Sequence, residues 1–218
     1  MTESADQPNS KMFMDTFPVG PLQCNCAIIG DTVSKRAMVI DPGGDADRIL
    51  KVLNDNDLRL VSIIHTHAHL DHILASGVLK EATGAGIYLH KGDKMWWDMA
   101  EDQCKMFNVP YEPLPDPDFW LEDDEALCCC DGVALHTPGH TEGSMSFWFQ
   151  NDKLLVAGDT LFKSSIGRTD LPGGDFKQIE KSIKERLYCL DDEAMVITGH
   201  GPATQIGAEK ISNPFVQA

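Results

Sequence analysis

The stretch His65-Thr66-His67-Ala68-His69-Leu70-Asp71-His72 places four imidazoles and a carboxylate within eight residues. It follows directly on the apolar run Leu60-Val61-Ser62-Ile63-Ile64. Neutral imidazole nitrogens and ionised carboxylate oxygens together suit a divalent metal such as zinc, iron or manganese, and no thiolate is needed. In extended backbone, residues two apart face the same way, so His67 and His69 point together. Asp71 and His72 come next, as the chain turns into a helix, and can serve a neighbouring ion. Three other polar residues also stand just past strand-like segments: His140 after 133–136, Asp159 after 154–157 and His200 after 194–198. Seven ligands are too many for one tetrahedral ion, but they suit two ions that share one carboxylate.

Such residues meet only if their strands lie side by side in a sheet. Segments 26–30 and 36–40 read as a hairpin, followed by the turn Asp41-Pro42-Gly43-Gly44 and a helix over 46–53. A buried strand is expected over 60–64, a helix over 71–83 closed by Gly84, a short strand over 87–89 and a helix over 93–107. Segment 108–124, with four prolines, reads as irregular: a lid or a surface connector. Strands return at 133–136, 144–149, 154–157 and 194–198, with a helix over 176–190. This alternation, in two similar halves, predicts an α/β sandwich of two mixed sheets with helices outside. Residues 1–12 read as a disordered lead-in and 13–218 as one domain.

The net charge of −16 opposes binding to nucleic acid or an anionic membrane. No apolar run approaches the roughly 18 residues of a membrane helix, and the polar N-terminus has no signal-peptide core. Seven cysteines without CxxC spacing argue against a disulfide framework and fit a reducing compartment, so a cytoplasmic location is expected. The run Cys128-Cys129-Cys130 invites a thiol metal site, but small hydrophobes in or beside an edge strand are the preferred reading. Oligomeric state is not legible.

The motif HxHxDH at 67–72, TPGHTEG at 137–143, Gly158-Asp159 and GHGP at 199–202 stand in the order found in the metallo-β-lactamase superfamily, which this sequence resembles from about residue 13 to 216. The resemblance implies the αββα four-layer sandwich. It also implies that His67, His69 and His140 hold one metal, that Asp71, His72 and His200 hold a second, and that Asp159 bridges them. Zinc is the first expectation, with iron or manganese as alternatives. An aspartate at the bridging position resembles the hydrolase branches rather than the β-lactamases with a cysteine there. The segments LFKSSIGRTDLPGGD (161–175) and TGHGPATQIGAEKISNPF (198–215) are similar to the short bacterial type II glyoxalases, which hydrolyse the thioester S-D-lactoylglutathione to D-lactate and glutathione. The longer type II glyoxalases grip glutathione with a C-terminal helical domain. Those contacts have no counterpart to assign here. The expected reaction is attack of a metal-held hydroxide on the thioester carbonyl, with Asp71 or Asp159 orienting it and taking up its proton. GRTD at 167–170 is shared with mononuclear-iron persulfide dioxygenases, the chief alternative. A lactonase or esterase on the same metal pair and an inactive metal-binding module are the others.

Nearby polar residues receive structural readings. His65 and His136 are expected to be structural or to support the ligands, and His90 to lie at the surface or cap. Asp41 is expected to anchor a turn, and Thr141 and Ser144 to brace the loop behind His140. Trp96 and Trp97 pack under the excursion or line a substrate mouth. Gly167, Gly173 and Gly174 are expected to let their loop turn tightly. Arg168 either holds a substrate carboxylate or pairs with Asp170 to brace its loop.

Overall fold

Side-chain alternation assigns each strand residue to a layer. In the computed structural model, which describes residues 12–217, strand β2 (Cys24–Asp31) sends Cys26 and Ile28 to one side and Ala27 and Ile29 to the other. Strand β3 (Arg36–Ile40) does the same with Ala37 and Val39 against Met38 and Ile40. Both strands have two buried faces, so both read as nearly continuous apolar runs. They form the expected hairpin, and β1 (Met12–Val19) adds a third antiparallel strand that was not foreseen. Most of the expected lead-in lies outside the described residues, and its last residue, Met12, already belongs to β1.

Three parallel additions extend this sheet. Helix α1 (Ala46–Asp55) leads to β4 (Arg59–Ile64). Helices α2 (Leu70–Ile73) and α3 (Ser76–Thr83) lead to β5 (Gly86–His90). Helices α4 (Lys94–Asp98) and α5 (Ala100–Phe107) lead to β6 (Phe119–Leu121), completing a six-stranded sheet in chain order. The second sheet comprises β7 (Gly132–His136), β8 (Met145–Phe149), β9 (Leu154–Gly158), β12 (Met195–Thr198) and β13 (Thr204–Gln205), in the order β13-β12-β9-β8-β7. A ribbon of β10 (Leu161–Phe162) and β11 (Ser165–Ile166) and helix α6 (Phe176–Ser182) separate β9 from β12, and α7 (Ile206–Ser212) follows β13.

Three apolar layers result. Ile49, Leu53, Leu79 and Trp97 pack helices on the outer face of the first sheet. Ile29, Ile40, Ile64, Phe147, Phe149 and Val156 fill the space between the sheets. Leu155, Ala157, Ile179, Ile183 and Leu187 pack α6 on the second sheet. The architecture is the expected αββα sandwich.

The departures from the sequence reading are local. The helix expected over 71–83 is two helices, because the Ala75 amide donates to the Pro42 carbonyl at 2.8 Å rather than within a continuous helix. The helix expected over 93–107 divides at Met99, and the one over 176–190 passes into a π-helical turn over Ile183–Leu187. Segment 108–124 is a connector that ends in a strand: Trp97 Nε1 donates to Pro115 O at 3.2 Å, and Asp118 accepts from the Ile87 amide at 2.8 Å. Cys128–Cys130 lie in a turn rather than a strand, with Cys130 in left-handed backbone, and pack on the inter-sheet core as small hydrophobes. All seven cysteines are unpaired.

Candidate metal centre

The C-terminal ends of β3, β4, β7, β9 and β12 lie along one edge of the sandwich, and the residue types singled out above follow them. β4 leads into His67, His69, Asp71 and His72, and β7 into His140. Asp159 comes straight after β9, and His200 two residues past β12. All seven expected ligands are brought together there.

His67 Nε2, His69 Nδ1 and His140 Nε2 form a triangle with sides of 3.0, 3.0 and 3.2 Å. Three ring nitrogens this close have too few protons to hydrogen-bond one another in every pair, and the arrangement matches one face of a tetrahedral cation site. Burial holds His67 well below the ordinary imidazole pKa, lowers His69 to about 3 and lowers His140. All three are therefore neutral at pH 7 and can offer lone pairs. The His140 tautomer is fixed, because Nδ1 donates to the Arg168 carbonyl at 2.9 Å.

The second group lies beside the first. His72 Nδ1 donates to Asp41 Oδ2 at 2.9 Å, which directs the lone pair of Nε2 inward. That Nε2 stands 3.7 Å from Asp71 Oδ2 and 3.6 Å from Asp159 Oδ1. His200 Nε2 lies 3.0 Å from Asp71 Oδ2. Asp159 faces both groups, with Oδ2 3.7 Å from His140 Nε2 and 3.9 Å from His200 Nε2. His72 Nε2 and Asp159 Oδ1 are buried without any hydrogen-bond partner. Unpartnered buried polar atoms are costly, and a cation between them satisfies both. Burial opposes charge on His72, yet Asp41, Asp71 and Asp159 raise its pKa well above the ordinary value, so a cation taken up at Nε2 displaces a proton from that nitrogen. Burial likewise works against ionised Asp71, but His72 and His200 hold its carboxyl below the usual range. These residues fit two divalent ions, with His67, His69 and His140 at the first and Asp71, His72 and His200 at the second, Asp159 between them.

Close backbone packing sets this geometry. A Cβ on Gly199 would lie 2.0 Å from Asp159 Oδ1, and one on Gly43 would lie 1.5 Å from the Asp71 carbonyl oxygen. Only glycine lets these loops touch the site.

The neighbouring polar and aromatic residues make contacts of their own around the cluster. His65 Nε2 meets Ser76 Oγ at 3.2 Å and its ring packs on Trp97. His90 accepts from the Gly92 amide and stacks on His136, whose Nε2 donates to the Glu142 carbonyl. Thr141 Oγ1 and Ser144 Oγ lie 2.8 Å apart behind His140. Trp96 and Trp97 are buried, and Trp96 meets His69 edge-on. Arg168 makes a bidentate pair with Asp170 at 2.7 and 2.9 Å.

Asp41 does more than anchor a turn: it accepts from Thr66 N at 2.7 Å, Thr66 Oγ1 at 2.6 Å and His72. Three residues went unnoticed. Asn25 joins the sheets by donating from Nδ2 to the carbonyls of Thr198 and Gly201, both at 2.9 Å. Gln103 accepts from the Leu70 amide at 3.0 Å and donates to the Ala68 and Trp96 carbonyls. Asp93 receives three hydrogen bonds from the two histidine loops. Asp93 and Gln103 are polar residues on the buried side of helical segments, the one signal that could have marked them.

The metallo-beta-lactamase superfamily pattern matches residues 19–200. The hydroxyacylglutathione hydrolase GloC of Haemophilus influenzae is 38% identical over 211 residues, covering 95% of this chain and 99% of that protein. Two solved structures, each 35% identical, cover 94% of this chain and are themselves covered completely. They are the B3 metallo-beta-lactamase BLEG-1, with a TM-score of 0.86, and TTHA1623 in a di-iron-bound form, with a TM-score of 0.82. With its four motifs, its sandwich and its histidine–aspartate cluster all in place, this chain belongs to the metallo-beta-lactamase superfamily.

Proposed function

We propose that this chain is a metal-dependent hydrolase of S-acylglutathione thioesters, converting S-D-lactoylglutathione and water to D-lactate and glutathione. The observation that carries the reading is the pair of adjacent ligand clusters, His67, His69 and His140 beside Asp71, His72 and His200, with Asp159 within 4 Å of members of both. Likeness to GloC over nearly the whole of both chains supports the substrate class, and a di-iron-bound neighbour supports a paired centre. Zinc is the proposed ion. Iron and manganese suit the same imidazole and carboxylate ligands.

When bound, two divalent ions supply hydroxide at neutral pH and Lewis acidity toward a carbonyl. The chain's own residues do the rest. Asp41 and the Arg168 carbonyl fix the tautomers of His72 and His140, so that lone pairs face the centre. His200, one-third exposed, marks the side open to solvent and substrate. Asp71 or Asp159 orients the attacking water and takes its proton, and the glutathione sulfur leaves with the electron pair of the broken C–S bond. Arg168 is proposed to hold a substrate carboxylate, for which its fork must exchange Asp170. The unpaired cysteines fit a reducing, cytoplasmic setting, and no helix among the described residues is long and apolar enough to cross a membrane. The proposed partner is a small thioester, not a nucleic acid or a membrane.

The test is anaerobic thiol release from S-D-lactoylglutathione by metal-replete protein, followed with a thiol reagent, with Asp159→Ala alongside. Rapid release that disappears in a folded, metal-depleted Asp159→Ala protein is expected. A fully active, metal-free Asp159→Ala protein overturns the mechanism. Inert wild-type protein that consumes oxygen with glutathione persulfide, or opens a β-lactam, overturns the substrate.

A further inference from the structure

The segment between β5 and β6 carries a carboxylate that binds neither proposed ion but touches both loops of the first site. Asp93 is completely buried at the start of α4. Its Oδ2 accepts from the Ala68 amide and from Thr141 Oγ1, both at 2.9 Å, and its Oδ1 accepts from the Gly143 amide at 2.7 Å. Ala68 lies between His67 and His69, while Thr141 and Gly143 follow His140.

We propose that Asp93 is a positioning residue for the first metal site: one buried carboxylate locks the His67–His69 segment to the His140 loop and so holds their three ligand nitrogens at binding distance. The inference rests on the metal-centre reading above and is independent of the substrate. A backbone bond from Met145 N to Thr66 O at 2.7 Å ties the same two loops nearer the sheets. Asp93 adds a second tie on the far side of His67, and two ties fix a separation that one leaves free to pivot. The fit is close. A Cβ on Gly143 would lie 2.6 Å from Asp93 Oδ1, and one on Gly92 would lie 2.9 Å from the Glu142 carbonyl carbon, so a longer acidic side chain has no room.

Two of the three partners are backbone amides, which can only donate. Asp93→Asn keeps the shape but has one acceptor oxygen, so its NH2 must face either the Ala68 or the Gly143 amide. One histidine loop is then released. Outer partners of metal ligands are typically worth about 10–100-fold in affinity. Asp93→Asn is therefore expected to weaken one of two zinc sites by about 10–100-fold in competition with a chromophoric chelator, and to alter the ligand-field bands of one site in the cobalt(II) protein. Thr141→Val, which removes one of the three donors, covers the case in which Asp93→Asn does not fold, and a several-fold loss at the same site is expected. Asp118→Asn is the control for stability alone: it disturbs a carboxylate that accepts from Ile87 N and pairs with Lys80, away from the ligands. It is expected to lower the melting temperature and leave both affinities unchanged. Wild-type affinity at both sites in folded Asp93→Asn and Thr141→Val overturns the inference, as does an equal loss in Asp118→Asn. A wild-type chain that takes up no divalent metal overturns it together with the metal-centre reading. A wild-type chain that binds two ions but leaves thioesters intact overturns only the activity.

Discussion

Asp41→Asn separates what a side chain contributes to stability from what it contributes to the metal centre. Asp41 is about 1% exposed and occupies left-handed backbone, which asparagine also tolerates. Its carboxylate accepts from Thr66 N, from Thr66 Oγ1 and from His72 Nδ1. The amide oxygen of asparagine can keep the Thr66 amide. Thr66 Oγ1 has an alternative partner in His67 Nδ1 at 3.0 Å. That leaves the new NH2 facing His72. It can donate only if His72 Nδ1 gives up its proton, which puts the proton on Nε2, where the second ion needs a lone pair. In the serine-protease triad, an Asp→Asn change that leaves the histidine in the wrong tautomer lowers turnover about 10⁴-fold. Restoring the metal-binding tautomer forfeits one hydrogen bond to a buried group, about 1.5–3 kcal/mol. At 1.4 kcal/mol per tenfold, this corresponds to about 10–100-fold weaker binding at the second site. Chelator competition measures the affinity, and the nitrogen chemical shifts of His72 report the tautomer. Urea unfolding of the metal-free form is expected to show a loss of only about 1–2 kcal/mol. The reasoning fails if the variant keeps both affinities, or if His72 still carries its proton on Nδ1.

Three further outcomes are expected. Gly199→Ala drives a methyl into the Asp159 carboxylate and should cost at least tenfold in metal affinity, measured by the same competition; unchanged affinity would mean the loop moves freely. Arg168→Ala removes an exposed pair worth under about 1 kcal/mol, so melting should hardly change while KM for a carboxylate-bearing thioester rises several-fold; an unchanged KM leaves Arg168 as a loop brace only. Burial, helped by Glu209, pushes the Tyr188 phenol up to about 12, above its unfolded value near 10, while its OH donates to the Val216 carbonyl at 2.8 Å. The raised pKa means that the fold favours the protonated phenol, so this contribution is present below pH 10 and is lost as the pH rises toward 12. Denaturant unfolding of Tyr188→Phe between pH 9 and 12 should show a shallower alkaline loss than wild type, and parallel curves would contradict the assignment.

The expected ligand cluster was legible because its members are polar residues placed shortly after apolar runs. Strand ends in one sheet converge, so order in the chain translates into adjacency in space. Asp93, Asn25 and Gln103 were not legible, because most of their partners are backbone groups of loops far away in the chain, such as Gly143 for Asp93 and Gly201 for Asn25. Backbone donors leave no residue-type signal. The break between α2 and α3 was missed for a related reason. Nothing in Leu74-Ala75 disfavours a helix, and the cause is a carbonyl at Pro42, on another loop. β1 was missed because its sequence, Met12-Phe13-Met14-Asp15-Thr16-Phe17-Pro18-Val19, follows the polar lead-in and is only half-buried over much of its length, as befits an edge strand. Pro18 suits that position, since an edge strand can spare an amide donor.

The division of the ligands between the sheets explains why loss of metal need not mean loss of fold. His67, His69, Asp71 and His72 extend from the first sheet, and His140, Asp159 and His200 from the second, so each proposed ion would tie one sheet to the other along a single edge. The sheets already share an apolar layer in which Phe147, Phe149, Ile29, Ile40 and Ile64 are at most 2% exposed. Truncating one such phenylalanine costs about 3–5 kcal/mol, a large part of the total stability of an ordinary domain. Removing an ion releases only the edge, where Asn25 still bridges the sheets through two backbone carbonyls. The apolar layer therefore preserves the sandwich, while the ions set the spacing of the loops that surround them. Metal-free protein should keep slow amide exchange in β8 and β9 and lose protection first in the loops that carry His69, His140 and His200.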